Sequence, residues 1–194
     1  MVPRRWLSVP PPCSPCERRW LTLPGSLTQA LRGCGHFSLS VISEGWERLP
    51  VDERDLLHLP AASTGWVRRV VMSLDGIACV AARTTTTHRG VCNAWQRLAR
   101  RGTRPLGELL YHDGSIQRGD FHFLRQATLP ESITAPSQHP QVRCLSRRSL
   151  FIRNSQPLLV TECFLAGFLQ RKMANPQPSL PPRWSPLGTL ADAH

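Results

Sequence analysis

Three charged residues stand out in this 194-residue chain because each lies within a run of apolar residues. They are Arg68, Arg83 and Glu162. A charged side chain in such a run either points to solvent or points inward, where it must be paired. Two guanidinium groups and one carboxylate that converge from different strands would suit a small dianion, because guanidinium groups bind carboxylates in a forked geometry and the glutamate can meet a hydroxyl group.

The orientation of Glu162 depends on which face of its strand is buried. Side chains alternate along a strand, so Val160, Glu162 and Phe164 share one face and Leu159 and Thr161 share the other. If the Phe164 face is the core, Glu162 is buried and functional; otherwise it is an ordinary surface or edge residue. The residues alone leave both alternatives open.

Two pairs of strands are the clearest local signals in the sequence. The first pair, 65–72 and 77–84, flanks an Asp-Gly dipeptide, which is typical of a tight hairpin turn. The second pair, 147–152 and 157–165, flanks a short polar segment. Both patterns predict β-hairpins.

Shorter signals add a strand and three helices. The segment 36–44 alternates apolar and polar residues and is predicted as a half-buried strand. Ser26 follows a Pro-Gly pair and is predicted to cap a helix over 26–32, and the other two helices are predicted over 94–101 and 105–111. These elements predict an α+β fold, with a single antiparallel β-sheet flanked by short helices.

Proline-rich stretches divide the chain. Residues 1–16 contain prolines and a Cys-Ser-Pro-Cys sequence and are predicted as a flexible N-terminal segment. Residues 17–170 are predicted as the folded domain. Residues 171–194 are predicted as a disordered C-terminal tail, because their proline density is incompatible with a helix or a central strand.

The formal net charge of +11 raises the question of a nucleic-acid partner. The charge is almost entirely arginine, spread in singles and pairs, and no cluster of arginines is interleaved with aromatic residues. A basic protein can equally attract a small anionic substrate. The sequence also contains no apolar run of the roughly 18 residues that a membrane-spanning helix needs. We therefore expect a small-molecule ligand, with no nucleic acid and no membrane insertion.

The seven cysteines indicate neither a disulfide framework nor a metal site. Cys13 and Cys16 have zinc-ligand spacing, but only Cys34 and His36 follow them, and these do not complete a recognisable set of ligands. We expect no metal and no other cofactor, and we expect the cysteines to be reduced in a cytoplasmic protein.

Seven blocks of the sequence resemble, in the same order, the bacterial chorismate lyases. The resemblance runs from about residue 20 to residue 165, which is most of the chain. The blocks are Trp20–Thr28, Val41–Trp46, Trp66–Val71, Ala82–Thr84, Gly102–Leu110, Arg147–Ser149 and Pro157–Leu165.

The resemblance implies a cofactor-free, monomeric, cytoplasmic lyase that converts chorismate to 4-hydroxybenzoate and pyruvate, the first committed step of ubiquinone biosynthesis. It implies an antiparallel sheet with the product enclosed under helical flaps. Arg68 matches the arginine that grips the ring carboxylate, and Glu162 matches the carboxylate that meets the 4-hydroxyl group. Leu27 and Leu106 match the two positions that close over the ring, and Arg83 is assigned to the enolpyruvyl carboxylate. The implied catalytic residues are Arg68, Arg83 and Glu162.

The chain departs from the family pattern in Thr84–Gly90 and in the segment 121–142. Both departures affect the expected loops and flaps. They leave Arg68, Arg83 and Glu162 in place. The alternative function is a non-catalytic domain of the same fold that binds an aromatic carboxylate, as in sensors attached to transcription regulators. The short N-terminal segment has no helix-turn-helix pattern, which favours the enzyme.

Overall fold

The computed structural model describes residues 6–98, 102–126, 144–165 and 168. Its described part is an antiparallel β-sheet with short helices, which confirms the predicted α+β class. The helices are α1 (Pro15–Leu21), α2 (Leu27–Arg32), α3 (Val51–Leu56), α4 (His88–Cys92) and α5 (Leu106–His112). The strands are β1 (Phe37–Arg48), β2 (Thr64–Leu74), β3 (Ile77–Thr86), β4 (Gln117–Arg118), β5 (His122–Gln126), β6 (Cys144–Arg153) and β7 (Gln156–Phe164).

The strands form one sheet in the order β1-β2-β3-β7-β6-β4, and β5 also pairs with β6. Both predicted hairpins are present, as β2–β3 and β6–β7. At both turns the two central residues have positive φ angles, 49° at Asp75 and 78° at Gly76, then 49° at Asn154 and 59° at Ser155. Such turns match the twist of the paired strands, which explains why these hairpins were recognisable from the sequence.

The helices follow the sequence signals in part. Ser26 caps α2, since its side chain accepts a hydrogen bond from the backbone N–H of Gln29, and the helix predicted over 105–111 is present as α5. The helix predicted over 94–101 is wrong in its described part, where residues 94–98 form turns. Trp95 is fully buried there, and its indole donates to the carbonyl of Gln156, so a tertiary contact overrides the local propensity.

The N-terminal segment packs on the domain from Trp6 onward. The Trp6 indole donates to Asp52, at 3.1 Å, and Leu7 forms a β-bridge with Phe123. Helix α1 begins at Pro15 and carries a capping box formed by Ser14 and Glu17. Residues of the predicted N-terminal segment 1–16 therefore contact the domain from Trp6 onward. The predicted tail 171–194 lies outside the described residues.

The two faces of the sheet are covered differently. Helices α1, α2 and α5 pack on one face, which carries the larger apolar clusters around Trp20, Trp95 and Phe164. Helix α3 and the segment around Trp6 cover parts of the opposite face, over a smaller apolar cluster that contains Val67 and Leu159. Within the part of the chain that the structure describes, no helix is long and apolar enough to cross a membrane.

Candidate active site

Two rows of paired residues cross the face of the sheet that α2 and α5 cover. Residues paired between neighbouring antiparallel strands point to the same side, so each row forms a strip of one surface. The first row, from β2 to β6, is Arg68, Thr84, Val160 and Ser149. The second row, two residues further along each strand, is Val70, Ala82, Glu162 and Arg147.

The middle of this surface is hollow because β3 contributes small side chains. Ala82 and Thr84 lie between Arg68 on β2 and Glu162 on β7. Neighbouring strands are about 4.8 Å apart and two residues along a strand span about 7 Å, so the Cα atoms of Arg68 and Glu162 are separated by about 12 Å. The two charged side chains therefore stand at opposite ends of a shallow trough.

Helices α2 and α5 close this trough into a cavity of about 60 Å³. Leu27 of α2 and Leu106 of α5 are among its lining residues, together with both rows of the sheet. The two helices approach closely, because a Cβ atom on Gly107 would lie only 2.5 Å from the hydroxyl oxygen of Ser26. The structure thus brings four of the five expected site residues, Arg68, Leu27, Leu106 and Glu162, to the same cavity.

Arg68 is almost fully buried at one end of the cavity. Its guanidinium forms an ion pair with Glu44, at 3.1 Å, and donates a hydrogen bond to the carbonyl of Gly102. Burial lowers the pKa of Arg68, while the neighbouring Glu44 carboxylate raises it. Arginine starts from so high a pKa that this group keeps its positive charge at neutral pH.

Glu162 stands at the other end and is held by Arg147, which the sequence analysis did not single out. The Nε atom of Arg147 lies 2.6 Å from a carboxylate oxygen of Glu162. Its Nη1 atom donates to three carbonyls at and just after the end of α1, those of Trp20, Leu21 and Leu23, at 3.0–3.2 Å. One buried guanidinium therefore fixes the carboxylate and also binds backbone carbonyls at the end of α1, where a helix leaves its last carbonyls without intrahelical partners.

Arg83, the fifth expected site residue, lies on the opposite face of the sheet. Its Nε and Nη2 atoms donate to the two carboxylate oxygens of Glu53, at 2.6 and 3.0 Å, and Glu47 lies 3.5 Å away. Its side chain is only 2% exposed. The expectation that Arg83 contacts the second carboxylate of a ligand is therefore corrected: this arginine anchors α3 to the far side of the sheet.

A register shift explains the position of Arg83. If the pairing of β2 with β3 continued from the turn without a shift, Arg68 would pair with Arg83, and both side chains would lie on the same face of the sheet. The pairing shifts by one residue between Met72 and Ser73, so that Thr84 takes the place opposite Arg68. A bulge of this kind moves every later residue of one strand to the other face.

Further polar groups line or adjoin the cavity near Glu162. Tyr111 of α5 lines it, and the hydroxyl of Tyr111 is hydrogen-bonded to Arg118. Burial raises the pKa of the Tyr111 hydroxyl above its usual value and lowers the pKa of Arg118. Arg118 also donates to the carbonyl of Pro24, at 3.0 Å. The sequence offered no signal for this pair, because it depends on how α5 packs over β4.

The charge balance of the cavity favours an anion. Its charged lining residues are Arg68, Arg104, Arg147 and Glu162, which gives a net positive wall. Within the described ranges, no three His, Cys, Asp or Glu side chains lie close enough together to hold a metal ion. The arrangement can bind a molecule with a carboxylate at one end and a polar group near Glu162 at the other.

The amino-acid sequence matches one protein family over most of its length. Residues 8–174 match the family model described as chorismate lyase. A "Probable chorismate pyruvate-lyase" of Bordetella pertussis is 43% identical over 171 residues, which are 85% of this chain and 90% of the relative. A "Probable chorismate pyruvate-lyase 1" of Pseudomonas entomophila is 41% identical, covering 84% of this chain and 90% of the relative. The chain belongs to the chorismate lyase family.

Solved structures show the same fold at low sequence identity. The C-terminal domain of PhnF is similar with a TM-score of 0.56 and 14% identity, covering 74% of this chain and 89% of that domain. The effector domain of PhnF from Mycobacterium smegmatis is similar with a TM-score of 0.52 and 11% identity, covering 73% of this chain and 89% of that one. These likenesses concern the fold alone.

Proposed function

We propose that the chain is a chorismate pyruvate-lyase, which eliminates pyruvate from chorismate to give 4-hydroxybenzoate. Membership of the chorismate lyase family and the names of the two relatives support this function. The observation that supports an active site at this cavity is the position of Arg68 and Glu162 at its opposite ends, with the small side chains of Ala82 and Thr84 between them. A six-membered ring with a carboxylate on one carbon and a hydroxyl on the opposite carbon fits that arrangement.

The ring carboxylate binds Arg68 in this proposal. The guanidinium already holds one carboxylate, that of Glu44, whose side chain is partly exposed. A substrate carboxylate can share or replace this partner, because a guanidinium has five N–H donors in a planar fork. Since Arg68 is buried, the ion pair with the substrate forms in a setting of low dielectric constant, where it is stronger than in water.

Glu162 meets the hydroxyl on the opposite ring carbon. The reaction breaks the bond between ring carbon C3 and the enolpyruvyl oxygen, removes the proton from C4 and makes the ring aromatic. The enolpyruvate gains a proton at its methylene carbon and leaves as pyruvate. Glu162 either accepts the C4 proton or orients the hydroxyl group while the proton moves directly to the departing side chain. In both versions Arg147 holds the carboxylate in place.

Leu27 and Leu106 cover the ring as parts of two helical flaps. They lie on α2 and α5, which meet at Ser26 and Gly107 with no room for an added methyl group. A ligand of the size of 4-hydroxybenzoate enters or leaves when these helices separate. We expect release of the aromatic product to be slow for this reason. We further propose that the chain works as a monomer in the cytoplasm on this small-molecule substrate.

The function is tested by incubating the purified chain with chorismate without added metal. Pyruvate is measured through lactate dehydrogenase, and 4-hydroxybenzoate through its ultraviolet absorbance. We expect equal amounts of both. Arg68→Ala should lower kcat/KM at least about a hundredfold, because two charge-assisted hydrogen bonds to the substrate are lost. The control is Arg69→Ala, since Arg69 lies on the opposite face of the same strand and should leave turnover intact.

Two outcomes would change the proposal. If the wild type forms neither product, the lyase function is wrong; if 4-hydroxybenzoate still raises its melting temperature, the cavity belongs to a binding domain without activity. Full turnover by Glu162→Gln would eliminate the version in which Glu162 accepts the C4 proton, because an amide cannot act as that base.

A further inference from the structure

One buried hydroxyl group of the cavity has no hydrogen-bond partner in the part of the chain that the structure describes. Ser149 lies on β6, lines the cavity and is only 3% exposed, and its Oγ atom has no hydrogen-bond partner among the described residues. Buried polar atoms are almost always hydrogen-bonded, and leaving one without a partner costs free energy. A ligand that supplies the missing partner would remove this cost.

The surroundings of Ser149 favour a negatively charged partner. Arg147 lies two residues away on the same face of β6, and Tyr111 of α5 lines the same cavity. The guanidinium groups of Arg147 and Arg118 both lie over the ring of Phe121, at 4.6 and 4.2 Å from its centre. At this end of the cavity the positive charges of Arg147 and Arg118 therefore outnumber the negative charge of Glu162.

Tyr111 adds a hydrogen-bond donor to the same region. A guanidinium group only donates hydrogen bonds, so the Tyr111 oxygen is the acceptor in its bond with Arg118. A tyrosine hydroxyl can donate its own proton at the same time. The pairing with Arg118 thus fixes the oxygen of Tyr111 and polarises its hydroxyl group.

The covalent structure of chorismate places its second carboxylate, that of the enolpyruvyl group, at the Glu162 end of the cavity. The ring carboxylate and the hydroxyl are on opposite carbons, and the enolpyruvyl group is on the carbon next to the hydroxyl. With the hydroxyl at Glu162 and the ring carboxylate at Arg68, the enolpyruvyl carboxylate lies near Glu162. Arg83 is on the other face of the sheet and cannot reach it.

We propose that Ser149 and Tyr111 donate hydrogen bonds to the enolpyruvyl carboxylate of chorismate, with Arg147 supplying the neighbouring positive charge. This inference rests on the proposed lyase function and adds to it a subsite that distinguishes substrate from product. The product 4-hydroxybenzoate lacks the second carboxylate and does not use the subsite. Arg118 acts through Tyr111 and is a positioning residue.

The test compares substrate turnover with product binding in Ser149→Ala. We expect kcat/KM for chorismate to fall about tenfold or more, since a hydrogen bond to a charged group is lost. The dissociation constant of 4-hydroxybenzoate, measured by calorimetry, should change by less than about twofold, because the product does not use this hydroxyl. Tyr111→Phe should behave in the same way.

Ser146→Ala is the matched control, because Ser146 is a fully buried serine of the same strand that lies on the opposite face of the sheet. It should leave both constants unchanged. The inference is overturned if Ser149→Ala and Tyr111→Phe retain wild-type kcat/KM. It is also overturned if they weaken 4-hydroxybenzoate binding as much as turnover, because that result indicates a general loss of cavity shape. An inactive wild type would instead overturn the lyase function, and the subsite with it.

Discussion

Replacing Arg147 with methionine removes one guanidinium that serves both the cavity and the end of α1. The Arg147 side chain is 2% exposed and its ion-pair partner Glu162 is 17% exposed, so both charges lie largely out of water. Three backbone carbonyls, those of Trp20, Leu21 and Leu23, lose the Arg147 donor in the same change, and the Trp20 carbonyl keeps its bond from the Leu23 N–H. Methionine has a similar length and no hydrogen-bond donor, so the variant tests the charge rather than the volume.

The size of the effect follows from these contacts. Removing one partner of a buried ion pair costs about 3–5 kcal/mol, because the other charge is left without compensation. Partial access of water to Glu162 favours the lower part of this range, whereas the three carbonyls add to the cost. We expect the free energy of unfolding to fall by about 4 kcal/mol, which corresponds to a decrease of about 10 °C in the melting temperature.

Urea unfolding followed by tryptophan fluorescence measures this change, since Trp20 and Trp95 are fully buried. The control is Arg153→Met, whose ion pair with Asp113 has both side chains more than a quarter exposed. The control should cost about 1–2 kcal/mol, because it removes an exposed ion pair and the hydrogen bond that Arg153 donates to the carbonyl of Ala94. If Arg147→Met costs less than the control, Arg147 does not hold Glu162 and the end of α1 in solution.

Two further predictions concern the floor of the cavity and the opposite face of the sheet. Ala82→Leu fills the trough between Arg68 and Glu162, so the chain should fold, at a cost of about 1–3 kcal/mol, but lose binding of 4-hydroxybenzoate in calorimetry; binding at wild-type affinity would place the ligand elsewhere. Hydrogen bonds from Arg69 lower the pKa of Glu47 below its ordinary value of 4.5. The folded state therefore holds fewer protons than the unfolded state, and the contribution of Glu47 to stability is complete above pH 4.5 and lost as the pH falls through its folded pKa. The difference in unfolding free energy between the wild type and Glu47→Gln should shrink below pH 4.5, and a difference that stays constant in acid would contradict this assignment.

Local signals in the sequence were sufficient to predict the two hairpins and the N-terminal cap of α2. The turns at Asp75 and Asn154 and the capping Ser26 depend on residues close together in the chain. The alternation along β7 also placed Glu162 on the same face as Val160, as the cavity shows. Which of the two faces was buried could not be read from alternation alone, because both faces of β7 carry apolar residues.

The position of Arg83 could not be predicted, because it depends on a bulge. Nothing in the residues around Met72 marks the register shift, yet this shift decides whether Arg83 faces the cavity or α3. The contact between Arg147 and Glu162 could have been predicted, because the second hairpin has a regular register that can be counted from its turn. The turn pairs Arg153 with Gln156, and six further steps along each strand pair Arg147 with Glu162. An ion pair across two strands was therefore available to sequence reasoning and was missed.

A crystal structure of the chain with 4-hydroxybenzoate would show where the product binds. We expect the ligand in the cavity under α2 and α5, with its carboxylate on Arg68 and its hydroxyl at Glu162. The carboxylate oxygens should lie within about 3 Å of the Arg68 guanidinium, and the phenolic oxygen within about 3 Å of the Glu162 carboxylate. A ligand bound in the reverse orientation, or outside this cavity, would refute the proposed roles of Arg68 and Glu162.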